Sequence, residues 1–316
     1  MLEKNIYNWK YRFYSEGRFE IVPNEEYDKP TVLWKLYALN KNSVDAVVSQ
    51  YVYATHPWQV NDLFDCNEDL LDFDDEEMIH HFLKDVIPEE ELNKKKKDNP
   101  NGLKILVQRN FREILYKKWG IFSMTDNPNN VLLWSYYGNH KGFCIEFDLT
   151  QFPFEYYGPF PINYQSELNA LSIKDIGIHL GVLAQCNLKD KIWEHENEWR
   201  LMIPKPKGED MRSPAFKFLK DMGGHDRKFN YPLSAIRSIT LANRFFEPDE
   251  IKEISNSELE INLTEDIELK ASLLDFIAAN KIPSFLGLKT GFTTLGFKKI
   301  SINKIKGKDI YNINAC

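Results

Sequence analysis

Two stretches of the chain carry residue types that can do chemistry. The first is Trp119 to Asp148, WGIFSMTDNPNNVLLWSYYGNHKGFCIEFD. Its centre, Trp134-Ser135-Tyr136-Tyr137-Gly138-Asn139-His140-Lys141, crowds aromatic faces and polar heads together. A pocket uses that mixture to grip a flat ligand and fix its orientation. The second is Trp193-Glu194-His195-Glu196-Asn197-Glu198-Trp199-Arg200. Alternate residues of a strand share a face, so a strand here points Glu196, Glu198 and Arg200 the same way. Such a trio is costly to bury unless paired. In one reading Arg200 simply pairs with a glutamate on a solvated sheet face, and composition alone favours it. In the other, an arginine holds a carboxylate beside a cleft, where it orients a sugar hydroxyl or stabilises a developing oxocarbenium charge.

Other polar positions read more quietly. In WQVNDLFD (58–65), Asn61-Asp62 caps a helix from Leu63 or, alternatively, fixes a ligand's polar groups. His56 and His140 read as hydrogen-bonded loop histidines. No H-E-x-x-H spacing occurs, and cysteines 66, 144, 186 and 316 form no C-x-x-C, so no metal is expected. G-x-S-x-G, G-x-G-x-x-G and the P-loop pattern are absent, which excludes the common hydrolase and dinucleotide-fold signatures.

The elements that must position these residues follow from pattern. Strands are expected over Thr31–Leu39, Gln50–Thr55, Gly142–Phe147, Glu198–Ile203 and Ala235–Ala242, with a terminal hairpin in Gly291–Asn314. Helices are expected over Asn42–Gln50, in the acidic stretch 67–99, over Leu103–Lys118, in Glu167–Asp190 and over Pro248–Ile254. The lysine run 94–97 reads as a solvated helix end. Residues 205–230 read as an excursion. The order of strands and helices is irregular, so the expected fold is α+β. The expected organisation is an N-terminal extension (1–30), a core (31–245) with a helical insertion at about 67–118, and a C-terminal α+β extension (246–316). At 316 residues and net charge −7 there is no bulk basic footprint for nucleic acid, although a local basic groove stays open. No apolar run suits a signal peptide or a membrane span, so a cytoplasmic chain with reduced thiols is expected.

The blocks WKLYAL (34–39), YVYATHPWQVNDLFD (51–65), GIFS (120–123), LLWSYYGNHKGFCIEFD (132–148) and KIWEHENEWRLM (191–202) together resemble the bacterial family called domain of unknown function 2971. The chain differs from that family's pattern at Leu36-Tyr37, Thr55, Leu63 and Ile121. More distantly, an early strand with aromatic and basic residues, a strand ending in Thr, and a late E-x-E are similar to ADP-ribosyltransferases. That resemblance implies an ADP-ribosyltransferase-like core, a mixed or antiparallel split sheet with flanking helices, with NAD as co-substrate. It implies Glu198 as the catalytic carboxylate, Glu196 positioning the acceptor and Thr55 supporting the glutamate. Lys35 or Tyr37 would touch NAD, and Trp134, Tyr136 and Tyr137 would stack on nicotinamide or a target base. Asn61, Asp62, Ser135, His140 and Arg200 complete the candidate ligand-binding set. The partner would be a macromolecular acceptor, nucleic acid or protein, and a toxin or phage-defence setting with an antitoxin or defence partner would suit such a chain. The competing expectations are a nucleic-acid-processing enzyme using His140 and Glu198 as acid and base, and a nucleotide-sensing module without catalysis.

Overall fold

The computed structural model describes residues 1–23, 28–56, 60, 62, 64–73, 75–84, 87–99, 101–109, 119–204, 227–291, 294–305 and 309–316. The expectations for Asn61, for most of the Leu103–Lys118 helix beyond residue 109 and for most of the 205–230 excursion fall outside these residues.

In chain order, the structure opens with a meander, β1 (Leu2–Ile6), β2 (Trp9–Phe13) and β3 (Phe19–Val22). There follow β4 (Val32–Tyr37), α1 (Lys41–Val48), β5 (Tyr51–Tyr53), β6 (Leu71–Asp72), α2 (Glu76–Leu83), α3 (Glu89–Asp98) and a helical stretch α4 (101–109). The centre is β7 (Trp119–Thr125), α5 (Val131–Gly138), β8 (Phe143–Asp148), β9 (Tyr157–Pro161), β10 (Asn163–Gln165), β11 (Leu171–Ser172), α6 (Ile173–Ile176), α7 (Ile178–Gln185), β12 (Leu188–Asp190) and β13 (Glu198–Pro204). The last part is β14 (Lys228–Asn230), β15 (Ile236–Leu241), β16 (Ile251–Ser255), β17 (Glu258–Asn262), α8 (Ile267–Asn280), β18 (Ser284–Lys289), β19 (Leu295–Lys304) and β20 (Ile310–Ala315).

Eleven of these strands form one mixed sheet, ordered β16-β17-β20-β19-β18-β15-β8-β4-β7-β13-β9. Every neighbouring pair is antiparallel except β15 and β18. The strands β16 to β20 therefore continue the sheet, and apolar side chains from them and from α8 share one core with α1, β4, β7 and β8. A second core lies between the meander, α2, α4 and α7. A third, small one sits under α5.

One joint of the sheet is unlike the rest. β4 pairs with β8 along its whole length, and β7 does the same with β13. Between them, β4 and β7 share a single rung, Trp34 to Thr125. Beyond it the strands part. The chain just after β5 enters the gap, where Thr55 and Ile121 exchange both backbone bonds, at 2.7 and 2.8 Å. The sheet is thus two halves joined at one rung.

Local chemistry sets the flanking helices. The Asn40 side chain caps α1 by accepting from Ser43 N–H at 2.9 Å. Asn130 caps α5, which ends on Asn139 in the left-handed region. Three expectations are corrected. The helix expected over Glu167–Asp190 breaks at Gly177 (φ 78°) into two short helices, and β12 follows. Pro248–Ile254 is not a helix. A short 3-10 turn, Pro248–Glu250, runs into β16, because Glu250 turns inward to accept from Thr264 N–H, Glu265 N–H and Lys270 Nζ. Glu196 lies in a 3-10 turn (Lys191–Glu196) outside β13, because Asn197 takes a left-handed conformation between them.

Gly120 lets the Thr55 segment approach β7. A Cβ there would sit 2.4 Å from Ala54 Cβ and 2.9 Å from its carbonyl oxygen. Gly120→Ala should cost ~1–3 kcal/mol by overpacking, read from urea unfolding midpoints. A change too small to resolve would contradict this close packing.

Candidate functional site

At the open side of the β4/β7 joint lies a cavity of about 190 Å³. Its lining includes Trp34 and Lys35 from β4, Ser123 and Thr125 from β7, Tyr137 from α5, and Lys189, Glu196, Glu198, Arg200 and Asp65. Its floor is an ion network. Arg200 donates from Nε to Glu198 Oε1 at 2.6 Å and from Nη2 to Glu198 Oε2 at 3.0 Å. It also donates from Nη1 to Asp65 Oδ1 at 2.8 Å and to the Cys186 carbonyl at 2.9 Å, and from Nη2 to Asp65 Oδ2. Lys189 Nζ donates to Glu196 Oε2 at 2.6 Å and Glu198 Oε2 at 3.0 Å. Tyr137 donates to the other Glu196 oxygen at 2.8 Å. All five charged residues are at most 6% exposed.

Backbone placement brings them together. Arg200 and Glu198 are alternate residues of β13, on the face where Ser123 and Thr125 lie opposite. The Glu198 N–H donates to Tyr164 Oη at 2.9 Å. Thr125 Oγ1 donates to the Glu196 carbonyl at 2.8 Å, which anchors the turn before the strand. On the opposite side, Gln185 Nε2 donates to the Cys66 carbonyl at 2.8 Å and holds the Asp65 loop against α7.

The electrostatics follow from this burial. Burial pushes the Glu198 carboxyl up, but Arg200 and Lys189 outweigh it and hold it far below the usual carboxylate range. Glu198 is therefore an anion throughout the neutral range. It can stabilise a neighbouring cation and has no proton to give. Lys35 is the opposite case. Burial pushes its ammonium down to about 8, against the pull of Glu198 and Glu196.

A second cavity of about 410 Å³ adjoins the first and shares Lys35 and Thr55 with it. Tyr37, Asn42, Ser43, Asp45, Tyr51, Tyr53, Phe122 and Lys228 complete most of its lining. Lys35 and Tyr37 alternate with Trp34 and Leu36 on β4, so the two cavities face opposite sides of the sheet and meet where it splits.

The candidate residues now sort themselves. Glu198, Glu196, Thr55, Lys35, Arg200 and Tyr137 converge on the first cavity, and Tyr37 lines the second. Arg200 is corrected from a ligand contact to a positioning residue, since all three of its nitrogens already donate to protein acceptors. Trp134 is corrected from a stacking surface to core. It is 2% exposed, packs on Phe297 and donates from Nε1 to the Pro128 carbonyl. Ser135 and Tyr136 are exposed on the outer face of α5, with Tyr136 beside Trp193 and His195. Asp62 forms a turn with Phe64 and Asp65, and the described residues 64–66 that follow it are turn. His140 takes a left-handed conformation after α5, outside the lining of the cavity that holds Glu198, so it is not set opposite that carboxylate.

Sequence reasoning missed Asp65 and Lys189. Asp65 closes the WQVNDLFD block, so an acidic residue there was visible without its partner. Lys189, in NLKD, carried no signal of burial. Among the described residues no group of three or more His, Cys, Asp or Glu is arranged to hold a metal ion. Between the three carboxylates of the floor sit the Lys189 and Arg200 cations. No protein-family model matches the chain, and neither a search of curated proteins nor one of solved structures returns a significant match.

Removing one member of a buried network leaves a charge uncompensated. Arg200→Met should cost ~3–5 kcal/mol, measured by urea unfolding at neutral pH. Because the folded Glu198 carboxyl titrates below its unfolded value of about 4.3, its stabilising share is complete above that pH and drains away as pH falls below it. Glu198→Gln should flatten this acid limb. Equal limbs in wild type and variant would show that Glu198 does not carry it.

Proposed function

We propose that this protein cleaves the glycosidic bond of NAD and passes ADP-ribose to a macromolecular acceptor or to water. The observation that carries this reading is Glu198, a buried anion locked by Arg200 in a cavity at the split of the sheet. The resemblance to ADP-ribosyltransferases supports it, as does the through-sheet cleft. Together the two cavities fall within the ~300–1,000 Å³ typical of small-molecule sites.

In this reading the nicotinamide riboside end lies over Glu198. The bond between C1′ and the pyridinium nitrogen breaks, and its electron pair leaves with nicotinamide. The ribose is left as an oxocarbenium ion. Glu198 stabilises that charge without covalent attack, since both of its oxygens already accept hydrogen bonds from Arg200 or Lys189. An acceptor hydroxyl, amine or water then attacks C1′ and releases its proton. Glu196, steadied by Lys189 and Tyr137, faces the incoming acceptor. The diphosphate runs past Lys35 toward the second cavity. A toxin or phage-defence effector is the setting such chemistry suits.

A second reading is a nucleotide-binding module without turnover. The observation favouring it is the same saturation of Glu198, which a purely structural network would also display.

Nicotinamide release by purified protein, with and without DNA, RNA or lysate, separates the two. Wild type should release nicotinamide, and a folded Glu198→Gln variant should be slower by roughly 10²–10³-fold. NAD that binds without release in every condition would favour the module. Absence of binding would end both readings. The Lys35 charge, present below about pH 8 and lost above it, should make KM for NAD rise as pH passes 8. Lys35→Arg should move that rise out of range, and an unmoved profile would assign it to another group.

A further inference from the structure

The described residues include three lysines drawn into the fold whose surroundings differ sharply. Lys189 has two carboxylate oxygens within 3.0 Å, and Lys270 has Glu250 at 2.6 Å. Lys35 has no such partner among the described residues. Its Nζ faces the Phe122 ring, 5.3 Å from the centroid, and it lines both cavities at the point where they meet. Two carboxylates of the first cavity, Glu196 and Glu198, are already taken by Lys189 and Arg200. An amine without a counter-ion, in a partly apolar cleft, keeps a larger share of its neutral, nucleophilic form than a surface lysine. The second cavity adds a polar seat: Asn42 and Ser43 in the first turn of α1, Tyr53, and Lys228 and Tyr51, which also meet Asp45 there at 3.5 and 2.7 Å.

We propose that Lys35 is an amine nucleophile that condenses with the aldehyde carbon of a phosphate-bearing ligand whose phosphates occupy the second cavity. The Nζ lone pair bonds to the carbonyl carbon, and the carbonyl π pair moves onto oxygen, which takes a proton. Loss of that hydroxyl as water, with the remaining N–H proton passing to solvent, leaves the imine. No oxidant or reductant is required. The open-chain form of free ADP-ribose carries such an aldehyde and two phosphates; naming it as the physiological ligand rests on the NAD-cleaving reading, whereas the nucleophile itself does not.

The test traps the imine. Wild type and Lys35→Arg are incubated with pyridoxal 5′-phosphate, or with ADP-ribose, and reduced with sodium cyanoborohydride; labelled peptides are then mapped by mass spectrometry. Phosphate-free ribose serves as control, and circular dichroism confirms that the variant is folded. Lys35 should label with either phosphate-bearing probe at least tenfold faster than the exposed Lys191 and Lys298, and at least tenfold faster than with ribose. Lys35→Arg should abolish this fast label. Label spread evenly over surface lysines, fast label surviving in Lys35→Arg, or equal rates with ribose would overturn the proposal. Nicotinamide release is assayed on the same preparation. Fast Lys35 labelling without release would sink the NAD reading and leave the nucleophile standing, and release without labelling would do the reverse.

Discussion

Arg200 is a guanidinium at 2% exposure, and Asp65 and Glu198 offset the burial of its charge at hydrogen-bonding distance. Taking such a group out of water costs several kcal/mol, and each missing partner would make the cost prohibitive. The surrounding structure reads as the means of supplying those partners. β13 presents Glu198 two residues away, the loop before β6 delivers Asp65, the end of α7 offers the Cys186 carbonyl, and β12 brings Lys189 to the second oxygen of Glu198. Three carboxylates surround two cations. The Lys35 ammonium stands at the edge of that excess of negative charge without a direct contact.

The other governing feature is the single rung between β4 and β7. A sheet fully zipped there would close the space between Lys35 and Ser123. Parting the strands exposes backbone groups that need partners. Thr55 answers this on the β7 side by exchanging two hydrogen bonds with Ile121. The cleft is thus held open by a short segment that satisfies the edge it creates, and the floor of ions and the mouth of aromatics lie on the two sides of one joint.

Much of the architecture was legible because it obeyed local rules. β4, β8, β13 and β15 carry the β-branched and aromatic runs expected of strands, and the mixed α/β character follows from their irregular spacing with helices. The Glu198/Arg200 alternation gave a shared face correctly, because β13 begins at Glu198. Glu196 joined the same cluster for a reason that alternation does not contain: a left-handed Asn197 turns the chain so that a residue outside the strand still aims inward. Trp134 misled because a tryptophan beside tyrosines looks the same in sequence whether it meets a ligand or Phe297. Lys189 was silent because a lysine's burial depends on carboxylates remote in the chain or across a turn, and only the fold brings those together. Pro248–Ile254 failed as a helix because Glu250 is worth more as the buried partner of Lys270 than as a helical surface residue.

The two charges at the heart of the cleft, Asp65 and Arg200, are 135 residues apart in the chain. Such a contact closes a long loop, and loop closure of this length costs entropy before the contact returns any energy. Neither half of the network is worth burying without the other. The network can therefore close only where the fold brings β13, beside β7, up to the Asp65 loop. A chain still being synthesised up to β12 carries Asp65 and Lys189 but neither Glu198 nor Arg200, so the network cannot close until β13 exists.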